Sequence, residues 1–406
     1  MKKTITFLTA LCISLAVFAQ TDSPSINNLI AKYQELAAQH QKYCNEKDYE
    51  QAISQLQQMA AFVDGIKLSD EEREEFPKFI NILNTNIYYN LACNYSLTNR
   101  TKEALEAFEK AIGFGFSEYR HVKTDSDLDN IRNEEKFVAL MDTLKQFDKL
   151  VILQSAGKYQ QENTDSLPKF TYQSAENRNL QNVKNYFNLD SIAGNGDEIS
   201  KITNLLFFVT NAIKYDGSNW ALCEFDAIDF YNYHKATGKG INCRHMAMTL
   251  NEVYLAMGFK SRYVTCMPKD EDDPDCHVIN IVYSETLKKW LWLDPSHGIY
   301  VMDENNNMLS ISEVRERLIN NLPLKLNAET GRTKEWYLDY YMAKNLYWLQ
   351  CANISRFNTE SRYRNRDSDL KYVSLLPIGY GENNQYLKNG VITHDSDYFW
   401  QAPIFE

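Results

Sequence analysis

One cysteine lies between a glycine-containing loop and a strongly amphipathic segment in residues 238–257, GKGINCRHMAMTLNEVYLAM. After Cys243 the apolar residues recur every three to four positions until Gly258. This spacing predicts a helix that begins at the cysteine and ends at the glycine. A free cysteine is usually a small core residue, but the start of a helix carries partial positive charge that stabilises a thiolate. The position therefore suggests a reactive thiol.

Three strand-like segments follow this helix: SRYVTCM at 261–267, DCHVINIVYS at 275–284 and KKWLWLDPS at 288–296. Each segment is rich in β-branched or aromatic residues, and polar turns separate them, which predicts an antiparallel meander. A helix followed by such a meander is the order of elements in an α+β domain. We expect the helix to pack across the strands.

Two further reactive side chains lie at the ends of these strands. His277 begins the second strand and Asp294 ends the third, and the short loop between the strands should bring imidazole and carboxylate side by side. The helix would then deliver the thiol of Cys243. In such a triad the imidazole takes the thiol proton and returns it to the leaving group, while the carboxylate fixes the tautomer and orientation of the ring.

The same run of residues resembles the core of the transglutaminase-like superfamily, whose members share a papain-like Cys-His-Asp triad. The features that carry the resemblance are the glycine-rich loop before the cysteine, the segment GFKSR, a histidine on a strand and the ending WLDPS. The resemblance covers about residues 195–305. It implies that Cys243 is the nucleophile, His277 the general base and acid, and Asp294 the residue that orients the histidine.

An acyl-transfer site also needs hydrogen-bond donors for the developing oxyanion. The backbone N–H of Cys243 is one candidate. The resemblance implies a side-chain donor upstream, and Trp220, in DGSNWALCEF, is our candidate, with Asn219 beside it as the next. An equally good interpretation is that Trp220 is a core residue.

Several neighbouring residues are alternatives to the triad. His245 and His297 could act as bases, but the first should point away from the thiol along the helix and the second lies beyond the strand end, so both are predicted to be structural. Cys266, Cys276 and His277 lack the spacing of a tetrahedral metal site. We therefore expect no metal and no cofactor.

An acidic loop, KDEDDPDC at 269–276, directly precedes the histidine. It lacks the ligand order and the glycine of a calcium-binding loop, so we expect a solvated loop. Its negative charge should raise the pKa of His277 and could favour cationic or amine substrates near the site.

The region before this core is helical throughout, from about residue 23 to 149. Within it, residues 88–112, YYNLACNYSLTNRTKEALEAFEKAI, resemble a tetratricopeptide repeat. The small residues Ala92 and Ala104 let two helices approach, while Tyr95 and Phe108 fill the space between them. A weaker copy lies upstream, and its distance exceeds one repeat, which implies an inserted helix near EEREEFPKFINIL. A plain helical bundle is the alternative.

The first residues and the overall charge bear on location and partners. Two lysines, an apolar run and the ending Val17-Phe18-Ala19 predict a signal peptide, 1–19, of a secreted or periplasmic bacterial protein. With 43 Lys plus Arg and 54 Asp plus Glu, the net charge is −11, which disfavours nucleic acid and anionic membranes as partners. No later segment has the length and apolarity of a membrane span.

These patterns together predict an α+β chain: an N-terminal all-α helical-repeat module followed by a papain/transglutaminase-like core, with a helix bundle packed on an antiparallel β-sheet. We place the helical module at 20–149, a linker with short strands at 150–194 and the core at 195–330. The tail at 331–406, a helix rich in aromatic residues and then strands, should pack on the core or complete a small β element beside it.

Two functions are consistent with the sequence. The first is a transglutaminase-like cysteine enzyme that acts on peptide or related amide bonds through an acyl-thioester on Cys243, with hydrolysis favoured over crosslinking. The second is a non-catalytic envelope protein whose helical repeats and degenerate groove bind a protein, peptide or glycan. Asn242 and Ile279, where the family often has aromatic residues, keep the second interpretation open. The helical repeats could bind a protein partner in either case.

Overall fold

The computed structural model describes residues 24–75, 78–361, 369–381, 387 and 390–404. The predicted signal peptide, 1–19, lies outside these residues. The chain divides into two compact units, with the boundary between Asp148 and Lys149. Within the described ranges, no helix combines the length and apolarity needed to cross a membrane.

The described residues of the first unit, 24–75 and 78–148, form helices joined by turns, which confirms the predicted N-terminal helical module; its assignment to the tetratricopeptide class stays a prediction. Its α-helices are α1 (Pro24–Glu46), α2 (Tyr49–Asp64), α3 (Asp70–Glu75), α4 (Phe79–Leu97), α5 (Thr101–Gly113), α6 (Tyr119–Thr124) and α7 (Glu135–Lys145), with a 3-10 turn at Ser126–Ile131. The short helix α3 lies in the stretch where the repeat spacing is too long.

The helices of the first unit meet at small and aromatic residues, as the sequence pattern indicates. Ala92 on α4 and Ala104 on α5 are fully buried. Their small methyl side chains allow the two helices to approach closely at these points. The ring of Phe108 stacks on Phe137 with centroids 5.3 Å apart, and Phe116 stacks on Tyr89 at 4.4 Å. This aromatic cluster joins α4, α5 and α7 into one core.

In residues 150–194, which the sequence predicted as a linker with short strands, the structure has one short strand, Thr171–Tyr172, and also helices. The helices before the sheet are α8 (Lys149–Gln154), α9 (Arg178–Phe187), α10 (Leu189–Ala193), α11 (Glu198–Ala212), α12 (Ala227–Thr237) and α13 (Cys243–Ala256). The Asn177 side chain caps α9, and Leu180, Val183 and Leu189 are fully buried. The apolar face of α9 is only a few residues long and alternates with three Asn, a Gln, an Arg and a Lys, which is why the sequence pattern missed it.

The main sheet has six strands in the order β10-β9-β7-β2-β3-β4. At one side of this sheet, β2 (Ser261–Met267), β3 (His277–Ser284) and the edge strand β4 (Lys289–Leu293) form the predicted antiparallel meander. The strands from the tail are β7 (Trp348–Ala352), β9 (Tyr372–Leu375) and β10 (Val391–Thr393). Because β7 pairs directly with β2, most of the tail strands extend the main sheet, while one short tail strand, Ile354–Ser355, pairs outside it.

Two pairs of short strands lie outside the main sheet. They are β1 (Thr171–Tyr172) with β8 (Ile354–Ser355), and β5 (Val301–Met302) with β6 (Lys325–Leu326). The remaining helices are α14 (Ile311–Ile319), α15 (Lys334–Trp336), a π-helical turn (Tyr337–Met342), α16 (Ala343–Asn345) and α17 (Ser396–Phe399).

The sheet is covered on both faces, which explains why its strands are apolar almost throughout. Side chains of β3 alternate between two cores. Val278 and Val282 pack with α13, whereas Ile279 and Ile281 pack with α14 and the π-helical turn. The α+β class predicted from the sequence is confirmed, and the meander places the ends of β3 and β4 beside the start of α13.

The aromatic cluster of the first unit should carry much of that unit's stability. Replacing the fully buried Phe108 by alanine should lower the free energy of unfolding by about 3–5 kcal/mol, because it leaves a cavity among Phe116 and Phe137. Phe147 is 42% exposed, so Phe147→Ala should cost less than about 1 kcal/mol. Urea unfolding followed by circular dichroism measures both; equal effects would contradict this account of the core.

Candidate active site

The start of α13 is fixed by the residue before the cysteine. The side-chain oxygen of Asn242 accepts a hydrogen bond of 3.0 Å from the backbone N–H of His245, so Asn242 is the N-cap of the helix. Cys243 is the first helical residue and is half-buried. Capping explains why position 242 is Asn, where the family often has an aromatic residue, because an aromatic side chain could not cap the helix.

The loop before the cysteine needs a glycine at position 240. A Cβ there would lie 2.6 Å from the Cβ of Asp216 and 2.7 Å from the carbonyl oxygen of Lys214. The close approach is held by backbone bonds from Asp216 N–H to Ile241 and from Ile241 N–H to Lys214, at 2.8 and 2.9 Å. These bonds fix the chain two residues before the thiol.

The structure brings the three predicted site residues together. His277 begins β3 opposite Cys266 of β2, and Asp294 follows the last residue of β4. The Nε2 atom of His277 lies 2.8 Å from Oδ2 of Asp294, and neither side chain is exposed to solvent. The Cys243 thiol lies near enough to the same imidazole to contribute to the raised pKa of His277. The arrangement is that of a nucleophile, a base and an orienting carboxylate.

The charges of this buried pair support each other. Burial by itself would lower the pKa of His277, but the Asp294 carboxylate and the hydrogen bonds to Asp294 and Cys243 outweigh it and raise the pKa from 6.5 to about 10. Burial would likewise raise the pKa of Asp294, yet the His277 charge and the hydrogen bonds lower it from 3.8 to about 2. At neutral pH the imidazolium therefore has a proton on each ring nitrogen.

Two tyrosines from the π-helical turn also contact the triad, and the sequence analysis missed them. The Tyr337 hydroxyl donates a 2.6 Å hydrogen bond to Oδ2 of Asp294, and the Tyr341 oxygen lies 3.2 Å from Nδ1 of His277. We interpreted this aromatic helix as core. The available signal was the i, i+4 spacing of two hydroxyl-bearing rings, since a buried tyrosine hydroxyl usually needs a polar partner.

Aromatic rings surround the histidine. The ring of His297 stacks on His277 with centroids 5.8 Å apart and touches Tyr215 at 5.2 Å and Trp336 at 5.6 Å. His297 thus forms part of the wall beside the triad, as a structural histidine. The wall limits the access of water to the imidazole.

The two predicted candidates for a side-chain oxyanion donor are placed differently. Trp220 is half exposed, and its ring lies edge-on to His245 at 4.6 Å. Asn219 donates its amide hydrogens to the carbonyl of Gly240 at 2.6 Å and to the hydroxyl of Tyr233 at 3.1 Å. Asn219 therefore holds the loop before the cysteine, and the role of Trp220 stays a prediction.

The other residues that the sequence analysis considered near the triad, His245 and the acidic loop 269–276, are buried or form ion pairs. His245 stacks on Phe230 at 4.4 Å, and burial lowers the pKa of His245 to about 4. The Lys344 ammonium binds Asp273 at 2.9 Å and Asp275 at 2.8 Å, so part of the charge of the acidic loop is neutralised. This pairing weakens the predicted preference of the loop for cationic substrates.

One group of side chains has the composition of a metal site. Ligand atoms of His277, Asp294 and His297 lie within 4.8 Å of one another. However, Oδ2 of Asp294 already accepts hydrogen bonds from His277 and Tyr337, and Oδ1 accepts one from the backbone N–H of Ser296 at 2.8 Å. A metal ion would have to replace the bond that orients the imidazole.

A partly buried ion pair anchors the first turn of α13. Arg244 donates to both oxygens of Glu360, with Nε–Oε2 at 2.8 Å and Nη2–Oε1 at 2.6 Å, and a third donor reaches Thr265 at 3.1 Å. The Tyr263 hydroxyl also donates to Glu360 at 2.9 Å. The residue next to Cys243 is therefore tied to β2 and to the segment after β8.

Comparison with known proteins identifies the domain that carries this geometry. Residues 187–295 match the Transglutaminase-like superfamily, which confirms the predicted domain. A 68-residue segment is 38% identical to a chloroplastic protein from Arabidopsis thaliana and covers 17% of this chain and 19% of that protein. A crystal structure from Cytophaga hutchinsonii, named as a proposed cysteine protease, is 13% identical over 48% of this chain and 61% of that one, with a TM-score of 0.23. The chain thus spans less than two thirds of either relative.

Removing the carboxylate should uncouple the triad. Asp294→Asn should lower the free energy of unfolding by about 3–5 kcal/mol near pH 7, because it leaves a buried imidazolium unpaired. Since the pKa of His277 is raised from 6.5 to about 10, its contribution to stability is full below pH 6.5 and is lost as the pH rises through 10. Urea unfolding at several pH values should therefore show that the free energy of unfolding falls less between pH 6.5 and pH 10 in the variant than in the wild type. An unchanged decline would contradict the ionised pair.

A methyl group at position 240 should displace the loop that presents the thiol. Gly240→Ala should slow alkylation of Cys243 by about tenfold or more, because a shift of the nucleophile by even 1 Å is costly. Gly113→Ala is the matched control, since a Cβ there meets no atom within 4 Å. Iodoacetamide labelling followed by mass spectrometry gives both rates, and equal rates would show that the loop tolerates the side chain.

Proposed function

We propose, on the premise that residues 187–295 form a transglutaminase-like domain, that this protein is a cysteine enzyme that hydrolyses peptide or related amide bonds. The observation that carries the proposal is the group of three side chains: a half-buried thiol at a helix start, near an imidazole that a buried carboxylate holds at 2.8 Å. A degenerate binding groove has no need for a buried charged pair, which is costly to keep.

The proposed reaction has two halves. In the first, Nδ1 of His277 holds the proton that Cys243 gives up, and the thiolate attacks the amide carbonyl carbon. The carbon–nitrogen bond then breaks as Nδ1–H gives its proton to the leaving nitrogen, which leaves a thioester on the cysteine. In the second half, His277 takes a proton from water, the hydroxide attacks the thioester, and the thiol and a carboxylic acid are released.

The residues around the triad supply orientation and electrostatics for these steps. Asp294 keeps the imidazole with Nε2 toward the carboxylate, so Nδ1 is the nitrogen left to exchange a proton with the thiol. The backbone N–H of Cys243, at the free end of α13, is a donor for the oxyanion. Lys344 neutralises two acids of the nearby loop, which favours water over a cationic amine as the acceptor. The proposal therefore is hydrolysis and not crosslinking.

The surroundings in which this enzyme works are part of the same proposal. The signal-like residues 1–19 favour the periplasm or the extracellular space, and the acidic chain favours protein or peptide substrates over nucleic acid. The N-terminal helical module is proposed to bind a protein partner or to recruit the substrate.

Alkylation kinetics test the activated pair. The wild type should label Cys243 with iodoacetamide rapidly at about pH 6, well below the range in which a free thiol reacts, whose pKa is about 8.5. His277→Ala should lose about tenfold to a hundredfold of this rate at pH 6 because the imidazolium is gone. Cys276→Ser is the control that removes the neighbouring half-buried thiol and should keep the fast phase.

A hydrolytic assay completes the test. Incubation with a mixed peptide library, followed by mass spectrometry, should give new carboxyl termini or deamidated products that Cys243→Ala abolishes. Slow labelling in the wild type together with no Cys243-dependent product would overturn the enzyme and favour the envelope-binding protein.

A further inference from the structure

The contacts of Tyr341 raise a chemical conflict within the candidate site. Its phenolic oxygen lies 3.2 Å from Nδ1 of His277, while Tyr337, one turn earlier on the same face, holds Asp294. The other nitrogen, Nε2, is committed to Asp294 at 2.8 Å. The Tyr341 hydroxyl is therefore in hydrogen-bond contact with Nδ1, the ring nitrogen that proton transfer requires.

The conflict follows from the number of protons and lone pairs on Nδ1. This atom has either one proton to donate or one lone pair that accepts, so a strong hydrogen bond to tyrosine competes with the bond to the thiol. During acylation the leaving nitrogen must come within hydrogen-bond distance of the same atom to receive its proton. The Tyr341 oxygen stands at the position that the leaving group must take.

Neighbouring groups hold Tyr341 in this position. The ring of Trp336 stacks on it with centroids 5.5 Å apart and planes inclined by 9°, and the guanidinium of Arg332 lies over Trp336 at 4.7 Å. Three residues later, Lys344 binds Asp273 and Asp275, which ties the segment to the loop that runs into His277. The side chain of Lys344 is 12% exposed, so this pair is better shielded than a surface ion pair.

The local backbone suits a segment with two arrangements. Residues Tyr337–Met342 form a π-helical turn between two three-residue α-helical pieces, Lys334–Trp336 and Ala343–Asn345. Single π-helical turns are often found at functional sites, because the wider turn is less stable than the α-helical one. A change of this turn to regular α-helix would rotate Tyr341 relative to Tyr337.

We propose that Tyr341 is the gate of the leaving-group side: in the resting state its hydroxyl covers Nδ1 of His277, and a substrate reacts only after displacing it. The inference rests on the proposed function of the triad. The Lys344 ion pairs set how much free energy the displacement costs. The gate therefore selects against substrates with a bulky leaving group that cannot push the Tyr341–Trp336 stack aside.

The test compares two thiol reagents that share one reactive group, iodoacetamide and an iodoacetamide carrying fluorescein, on the full-length protein. Tyr341→Ala should raise the rate with the fluorescein reagent by about tenfold or more, and the rate with iodoacetamide by less, because both the hydrogen bond and the ring are lost. Lys344→Gln should shift the ratio of the two rates in the same direction.

A conservative variant separates the hydroxyl from the ring and guards against misfolding. Tyr341→Phe keeps the stack on Trp336 and should raise both rates by about twofold to tenfold, the net value of one hydrogen bond. Two matched controls lie on α9: Tyr186→Phe removes a hydroxyl that bonds Asn232, and Lys184→Gln removes an ion pair with Asp190. Both should leave the two rates unchanged.

The outcomes decide between the gate and its alternatives. An unchanged ratio of the two rates in Tyr341→Ala and Lys344→Gln overturns the gate, and a fall of both rates in Tyr341→Phe would make Tyr341 a positioning residue for the imidazole. Failure of the proposed function looks different, since wild-type labelling would then be slow and indifferent to His277→Ala whatever the size of the reagent.

Discussion

The buried bond between His277 and Asp294 is the constraint on which the rest of the site depends. Two charges without solvent exposure are stable only if each is paired and its remaining hydrogen-bonding capacity is used. Asp294 meets this condition with three donors: the imidazole, the Tyr337 hydroxyl and the backbone N–H of Ser296. The second imidazole nitrogen is left for the thiol and for Tyr341. Stability and chemistry therefore make opposite demands on the same ring.

The tail of the chain is part of the candidate site because it supplies strands of the sheet and polar partners. Strand β7 pairs with β2 and so closes the side of the meander away from β4. Glu360, which follows β8, forms the partly buried ion pair with Arg244 beside Cys243. The π-helical turn brings Tyr337 and Tyr341 to the triad. A chain ending at the predicted core boundary of 330 would lack all three contributions.

The parts of the site that are local in sequence were predictable. The Cys243 helix has its cap, its apolar face and its terminal glycine within twenty residues, and β3 and β4 are joined by a short turn, so the positions of His277 and Asp294 follow from strand geometry. The segment 150–194 was predicted less well, because α9 and α10 are short and their helical form depends on burial of residues such as Leu180 and Leu189. Packing there outweighs a weak local pattern.

The sequence by itself determined the α+β class, the helical character of the first unit and the placement of Cys243, His277 and Asp294 at the ends of their elements, because each depends on periodicity and capping over short distances. Only the tertiary structure decided that Tyr341, 64 positions from His277, contacts its nitrogen, and that Glu360, 116 positions from Arg244, anchors the helix of Cys243. Such contacts are formed by the pairing of β7 with β2 and by the path of the chain between them. These contacts cannot be detected from sequence periodicity, because the local sequence around a tyrosine or glutamate does not depend on its distant partner.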